Sequence, residues 1–424
     1  MTEQALPNVD AKIEAVLEAL GADARVQSAL ALAQSEVQRA MAEQIELCEI
    51  EAPTFEEDRR AARLAELMRE CGLTDVTIDA VGNVVGRRPG RDPEAPVLAL
   101  GAHMDSVFPA GTDVKVRREG NVYRAPGIGD NCSGLRALLQ ILRMFEHADL
   151  TTQGDVLFVG TVGEEGKGDI LGSKTLCDGS RRIDGFIAID STDVGRILRG
   201  ATGSHRWRFT VKGPGGHSYA EFERCPSAIH AICRAGALMA DLRVPSDPKT
   251  TYTIGTIRGG TSVNTIAAEA SVDVDMRSVD NDVLLKLEAE VMRAFEAGVE
   301  AENAFRGVTD EALQLRLEKK PIGNRPAGWR PDDCPVLQCA RAAQQALGIT
   351  LKAYTCASTD ANAPMSRGIP STCLSSGGRG VNAHTLDEYF VMEDTHLGPQ
   401  LIFLTALALA GSDRAEAVLP RLAA

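Results

Sequence analysis

Aromatic residues are scarce: Phe, Trp and Tyr make up 4% of the 424 residues. The core must therefore rest on Leu, Val, Ile and Ala. Ten cysteines are present, but no two stand in a C-x-x-C pair, and reduced thiols are expected. Cys132 and Cys356, which neighbour motifs described below, are expected to be small packing residues. No apolar stretch is long enough to span a bilayer. The start, Met1-Thr2-Glu3-Gln4, has neither the basic nor the apolar segment of a secretory signal, so a cytoplasmic location is expected. There is no basic cluster to offset a formal net charge of -14, which argues against a nucleic-acid partner. A solvated acidic surface accounts for the charge. No Gly-x-Ser-x-Gly elbow occurs, which counts against a serine hydrolase. Gly166-Lys167 and Gly172-Ser173-Lys174-Thr175 are fragments of a phosphate loop without its full spacing. Asp273 and Asp275 alternate on a strand and lack the turn glycine of a calcium loop. No internal repeat or low-complexity segment is evident.

What remains is a large α/β pattern interrupted by an α+β one. Residues 10 to 50 are expected to be helical, since Ile13, Val16, Leu17 and Leu20 recur at helical spacing. Glu56 to Cys71 is a second amphipathic helix, stopped by Gly72. Strands and helices then alternate to about Gly200, as in a parallel sheet. From there the period changes to two, in residues 207–211, 251–257 and 270–276. Such alternation predicts antiparallel strands with one wet face. Helices over 228–242 and 281–297 would cover the other face. Loop chemistry returns near Gly323-Asn324-Arg325-Pro326, and a helix from Val336 to Leu347 and a strand near Thr372-Cys373-Leu374 resume the first style. The expected architecture is a mixed, largely parallel α/β catalytic domain, residues 1–200 and 321–424, with an inserted α+β lid or dimerisation domain, residues 201–320. With 424 residues, two domains are also the prior from length.

Three apolar runs end in polar side chains of one kind. Residues 97–102 lead into His103 and Asp105, residues 156–159 into Glu164-Glu165, and residues 186–189 into Asp190. Buried parallel strands have this form, and in open α/β sheets ligands sit beyond the carboxyl ends of the strands. One His and several carboxylates at one sheet edge are an inventory for a divalent metal. Asp130 lies in Gly127-Ile128-Gly129-Asp130-Asn131, just before a helical run, where an N-cap is the simpler role. Its charge excludes a dinucleotide fingerprint for the glycines around it. Glu164 and Glu165 are adjacent, so in extended chain they would point apart, one to metal and one to substrate. His384 follows the glycine-rich Gly377-Gly378-Arg379-Gly380, which would let backbone pass close to something.

Together these segments resemble the M20 family of co-catalytic zinc peptidases. The matching pieces run in family order: His-Met-Asp-Ser-Val, Gly-Asp-Asn-Cys-Ser-Gly, Gly-Glu-Glu-Gly, Ile-Asp-Ser, Gly-Gly-His-Ser, Gly-Gly-Thr-Ser-Val-Asn and the late His384, across residues 101 to 388. The resemblance implies two divalent ions per chain, zinc above all, with Co2+ or Mn2+ as alternatives. It implies that His103, Asp130 and Asp190 hold one ion and Glu165 and His384 the other, with Asp130 bridging. Asp105 would orient His103, and Glu164 would be the general base acting on a water between the metals. The inserted domain would be a lid that also forms a homodimer. His217 would stabilise the oxyanion, often at the partner's site, while Asn264 and Arg277 would hold the substrate's carbonyl or carboxylate.

Asp at position 190 and the run Ser358-Thr359-Asp360-Ala361-Asn362 look like peptidase T and related amino- and dipeptidases. Hydrolysis of small peptides is the expected activity. The alternatives are an N-acyl-amino-acid deacylase or a carboxypeptidase with the same chemistry and, from another class, a non-catalytic binding protein on the same fold. The segment before about Ala40 departs from the shorter members of the family.

Overall fold

The three apolar runs form Leu98–His103, Val156–Thr161 and Gly185–Ile189, parallel and side by side in the structure, a computed structural model that describes residues 8–422. Every residue of the three is buried, so neither face selects polar side chains and the runs show no alternation. The sheet has six strands, in the order Asp75–Ile78, Val84–Arg88, Val156–Thr161, Leu98–His103, Gly185–Ile189 and Ser371–Leu374. Val84–Arg88 alone runs opposite to the other five strands. The helix Leu397–Ala410 is buried on all sides, which explains its uniformly apolar sequence. Among the described residues no helix is long and apolar enough to cross a membrane.

The predicted N-terminal helix is three: Ala11–Gly21, Ala24–Ser35 and Val37–Cys48. Asp10 and Asp23 cap the first two by accepting from Lys12 and Arg25 backbone N–H groups. Ile13, Leu17, Leu20, Val26 and Ala29 belong to the same core cluster as Phe145 and Leu401. The extension is therefore part of the larger unit's core. A buried ion-pair group fastens it. On the helix Cys132–Ala148, Arg143 lies 2.9 Å from Glu36 and 2.9 Å from Glu43. Removing one partner of such a group leaves an uncompensated buried charge. Arg143→Leu is expected to lower stability by about 3–5 kcal/mol in urea unfolding followed by circular dichroism. A loss below about 1 kcal/mol would match an exposed pair and contradict this.

The chain divides into two compact units. One is the chain up to Ala201 together with Trp329 onward; the other is Thr202–Gly328. In the second unit the antiparallel sheet runs Thr250–Gly259, Glu269–Ser278, Gly203–Lys212, Arg316–Arg325. Helices Ala228–Ala240 and Asn281–Phe305 share an apolar core with Phe209, Val272, Val274 and Met276. On the wet face Arg208 grips Asp273 through two nitrogens at 2.6 and 2.8 Å, and Arg206 meets Asp275 at 2.9 Å. The two aspartates are thus held in ion pairs. The second border falls after residue 328, not 320, because residues expected to be loop form the edge strand Arg316–Arg325. Its register slips at Pro321, where an edge strand tolerates proline.

Candidate metal centre

Register brings the polar strand ends together. His103 ends its strand opposite Thr161, the chain reaches Glu164 and Glu165 just beyond Thr161, and Asp190 follows Ile189 directly. His103 turns Nδ1 toward the Asp105 backbone carbonyl at 3.2 Å and the Asp105 carboxylate at 3.4 Å. Its Nε2 faces Asp130 Oδ1 at 3.2 Å. The other oxygen of Asp130, Oδ2, lies 3.0 Å from His384 Nε2, which also meets Glu165 Oε1 at 2.9 Å. Three overlapping groups each present ligand atoms within 4.8 Å of one another: His103, Asp130 and Asp190; Asp130, Glu165 and His384; and His103, Glu164 and Glu165.

Local structure explains the convergence. Asp105 is fully buried and accepts backbone N–H bonds from Glu164 and Glu165, both at 2.9 Å, and a hydroxyl bond from Thr54 at 2.9 Å. One carboxylate therefore sets the His103 ring and the backbone of both glutamates. The two glutamate side chains gather in one group with His103 and do not point apart. Alternation fails because the strand ends at Thr161 and Gly163, at φ 60°, turns the chain. The N-cap of Cys132–Ala148 is Asn131, which accepts from the Gly134 N–H at 3.1 Å. Asp130 is thereby left out of the cap, with both oxygens turned to imidazoles.

His384 arrives on a separate four-stranded sheet, in the order Arg379–Val381, Tyr389–Val391, Val122–Arg124, Arg117–Glu119. Pairing of Tyr389 with Arg124 brings the His384 loop beside the Gly127–Asp130 turn. Glu388, nearly fully buried, accepts N–H bonds from Gly127, Gly129 and Asp130 at 2.8, 2.8 and 2.9 Å. His384 itself sits at φ 65°, a conformation that costs energy outside glycine. The glycines before it serve packing: a Cβ on Gly378 would strike the Phe390 ring.

The charges favour a cation. Asp130 and Glu165 hold the His384 imidazole up to about 10. Burial lowers His103, but Asp105 and Asp130 outweigh it and raise the ring well above its usual value. Burial pushes Asp190 up to about 6, with Asp130 and Glu165 adding to the rise. Burial also raises Asp130, yet His103 and His384 bring it below the ordinary carboxylate range. Carboxylates and imidazoles within contact distance form a donor set suited to divalent metal, and the two oxygens of Asp130, one toward each imidazole, fit a shared ligand between two ions. The residues fit the group.

Comparison with known proteins assigns the family. The model of peptidase family M20/M25/M40 matches residues 99–408. The chain belongs to that family. M20 is a hydrolase family with dinuclear metal binding among its members: a dinuclear metal-binding M20 peptidase of Bacillus subtilis has the same fold at TM-score 0.64, with 16% identity over 89% of this chain and 99% of that one. A tripeptidase of Staphylococcus aureus superposes at TM-score 0.72, with 24% identity over 87% of this chain and 97% of that one. Among curated proteins, the N-carbamoyl-L-amino-acid amidohydrolase of Paenarthrobacter aurescens is 29% identical over 148 residues, 33% of this chain. The match spans about a third of that relative's length, 32%.

In this M20 chain the three residues expected on the lid do not all meet. His217 and Asn264 share a two-stranded ribbon, where His217 pairs with Thr265 and the Ser218 N–H bonds the Asn264 carbonyl at 3.0 Å. Both side chains are exposed. The Nδ1 of His217 accepts from the Tyr219 and Ala220 N–H groups at 3.2 and 3.4 Å, so its proton is on Nε2. Arg277 stands apart. The ribbon borders a cavity of about 730 Å³ that also touches Ser271, and six residues of strand, about 20 Å, separate Ser271 from Arg277. Arg277 donates through Nε to Asp275 at 2.7 Å.

Several residues of the centre have no role that the sequence alone suggests. Glu388 is one. Asp360, fully enclosed near His103, meets the Thr161 hydroxyl at 2.5 Å. Glu57 accepts the Gly163 N–H at 2.9 Å. An acid outside a regular element has no periodicity to betray it. All ten cysteines are free. Cys132 is buried, as expected of a packing residue, but Cys356 is exposed at the edge of its strand.

Proposed function

We propose that this chain is a two-metal amidohydrolase that cleaves small peptides next to a free amino end, as an aminopeptidase or dipeptidase. The observation that carries the reading is Asp130, whose two carboxylate oxygens face His103 and His384 separately. His103, Asp130 and Asp190 would hold one ion, and Asp130, Glu165 and His384 the other. Zinc is the ion proposed; bound there, it would polarise the scissile carbonyl and make water acidic. Glu164 takes the proton of the attacking water and returns it to the leaving nitrogen. The Nε2–H of His217 donates to the developing oxyanion. Arg277, held by Asp275, binds the substrate's carboxylate or carbonyl, and Asn264, on the ribbon of His217, does so together with His217 from the other subunit of a homodimer. The inserted unit forms a homodimer, and the cytoplasm is the proposed location.

The amino end is favoured by charge. A cavity of about 220 Å³ beside the centre is lined by Asp130, Asp190, Ser191 and Thr192 with glycine backbone. An ammonium gains there and a neutral acyl cap does not. The second reading is hydrolysis of N-carbamoyl or N-acyl amino acids, supported by the curated relative and by an arginine suited to the free carboxylate.

Metal analysis and a four-compound panel test both. Two ions per chain are expected, with activity lost on chelation and restored by Zn2+. Ala-Ala and Ala-Ala-Ala should turn over faster than N-acetyl-alanine and N-carbamoyl-alanine. One ion or none in active protein overturns the two-metal reading. Faster release from either capped compound overturns the amino-end reading and favours the second.

A further inference from the structure

We infer that Glu388 is a positioning residue of the metal centre, clamping the loop of His384 to the turn of Asp130 so that both side chains face one ion. The inference rests on the two-metal reading above. Glu388 lies four residues after His384, and its carboxylate closes on the other loop through both oxygens. Oε1 accepts from Gly129 at 2.8 Å and Asp130 at 2.9 Å, and Oε2 accepts from Gly127 at 2.8 Å. It is 1% exposed, so water does not substitute for those bonds. The fit is close on the other side as well: a Cβ on Gly129 would lie 3.1 Å from Glu388 Oε1.

The two halves of the centre depend on this clamp unequally. His103 and Asp190 stand at the ends of central strands, where ladder hydrogen bonds on either side fix the backbone. His384 stands in a loop between two three-residue strands, Arg379–Val381 and Tyr389–Val391, with its side chain about half exposed. Asp130 stands in the turn that Glu388 holds. An acceptor withdrawn from three buried N–H groups leaves them unsatisfied, and the turn and the loop are then free to part. The ion shared by Asp130, Glu165 and His384 loses its aim. The ion at His103 and Asp190 keeps two ligands of fixed position.

The test titrates chelator-stripped protein with Co2+, read by calorimetry and by the visible absorption of the bound ion. Wild type is expected to bind two ions per chain; fewer than two overturns the two-metal reading itself, independently of Glu388. Glu388→Gln keeps the shape but sets an NH2 group against a backbone donor. It is expected to weaken binding of the second ion, which loses the aim of both Asp130 and His384, about 10- to 100-fold, and of the first, which shares only Asp130, by clearly less. Glu388→Asp keeps an ionised acceptor and should fall between the two; it decides the matter alone if the Gln variant does not fold. A general loss of structure would move the stripped protein's melting temperature and both binding steps together. Two unchanged steps, or two steps weakened equally, overturn the inference.

Discussion

Glu164→Gln is expected to lower turnover by about 10²- to 10⁴-fold, the usual contribution of a positioned general base, while metal content stays at its wild-type value. The amide has the size of the carboxylate but cannot accept the proton of the attacking water. The backbone of Glu164 is held by Asp105 at 2.9 Å, so the substitution leaves the chain path alone. The structure makes this more than a formality, because Glu164 presents an oxygen in the same group as His103 and Glu165. A general base and a third metal ligand are both chemically open to it. The two roles separate on one sample. If Glu164 is the base, turnover falls and both ions remain. If it is a ligand, the metal content falls with the turnover. Glu165→Gln is the control, since that side chain meets His384 at 2.9 Å and its loss should reduce occupancy. Near-normal turnover of Glu164→Gln would assign the base elsewhere.

The central sheet and the ionisable residues gathered at its edge were legible for a physical reason. Strands buried on both faces declare themselves as unbroken apolar runs, and residues 97–102, 156–159 and 186–189 are such runs. The first ionisable residues after them are His103, Glu164 and Asp190, at or just beyond the sheet edge. Strands of three residues have no period to detect, so the sheet that brings His384 to Asp130 was invisible; the glycine-rich approach drew attention to His384, and the family resemblance gave it the expected role of a ligand. Glu388 follows Asp387, and a pair of acids in a loop has the look of solvated surface. Only the pairing of Tyr389 with Arg124 turns it inward. The edge strand Arg316–Arg325 was hidden by its own protection. Glu318, Lys319 and Lys320 keep an open edge from pairing with other chains, and those charges with Pro321 make the segment look like loop. The period-two strands of the second unit were plain because one face is wet, and there Arg206, Arg208, Asp273 and Asp275 supply the polar half of the alternation.

His217→Ala is expected to reduce kcat by about a hundredfold to a thousandfold, roughly 3–4 kcal/mol, the value of one oxyanion donor. Metal content should not change, since no metal-ligand group includes His217 among the described residues. The geometry prepares the ring for donation. Backbone N–H groups of Tyr219 and Ala220 point at Nδ1, which must accept, and the proton on Nε2 is directed outward. A donor that is exposed and set on a two-stranded ribbon needs a substrate brought to it. Arg277 stands about 20 Å of strand away from the ribbon's neighbour Ser271, so one chain does not offer His217 and Arg277 at the same point. Supply of His217 to the partner's site in a homodimer would resolve this, and mixing two inactive variants tests it. His217→Ala and Glu164→Gln chains exchanged to equilibrium form heterodimers as half of all dimers, each with one site that has both groups intact. About a quarter of wild-type activity should return if the histidine crosses the two-fold interface. If His217 serves its own chain, no site in the mixture is whole, and activity should stay at the level of the single variants after exchange is verified by mass-tagged subunits.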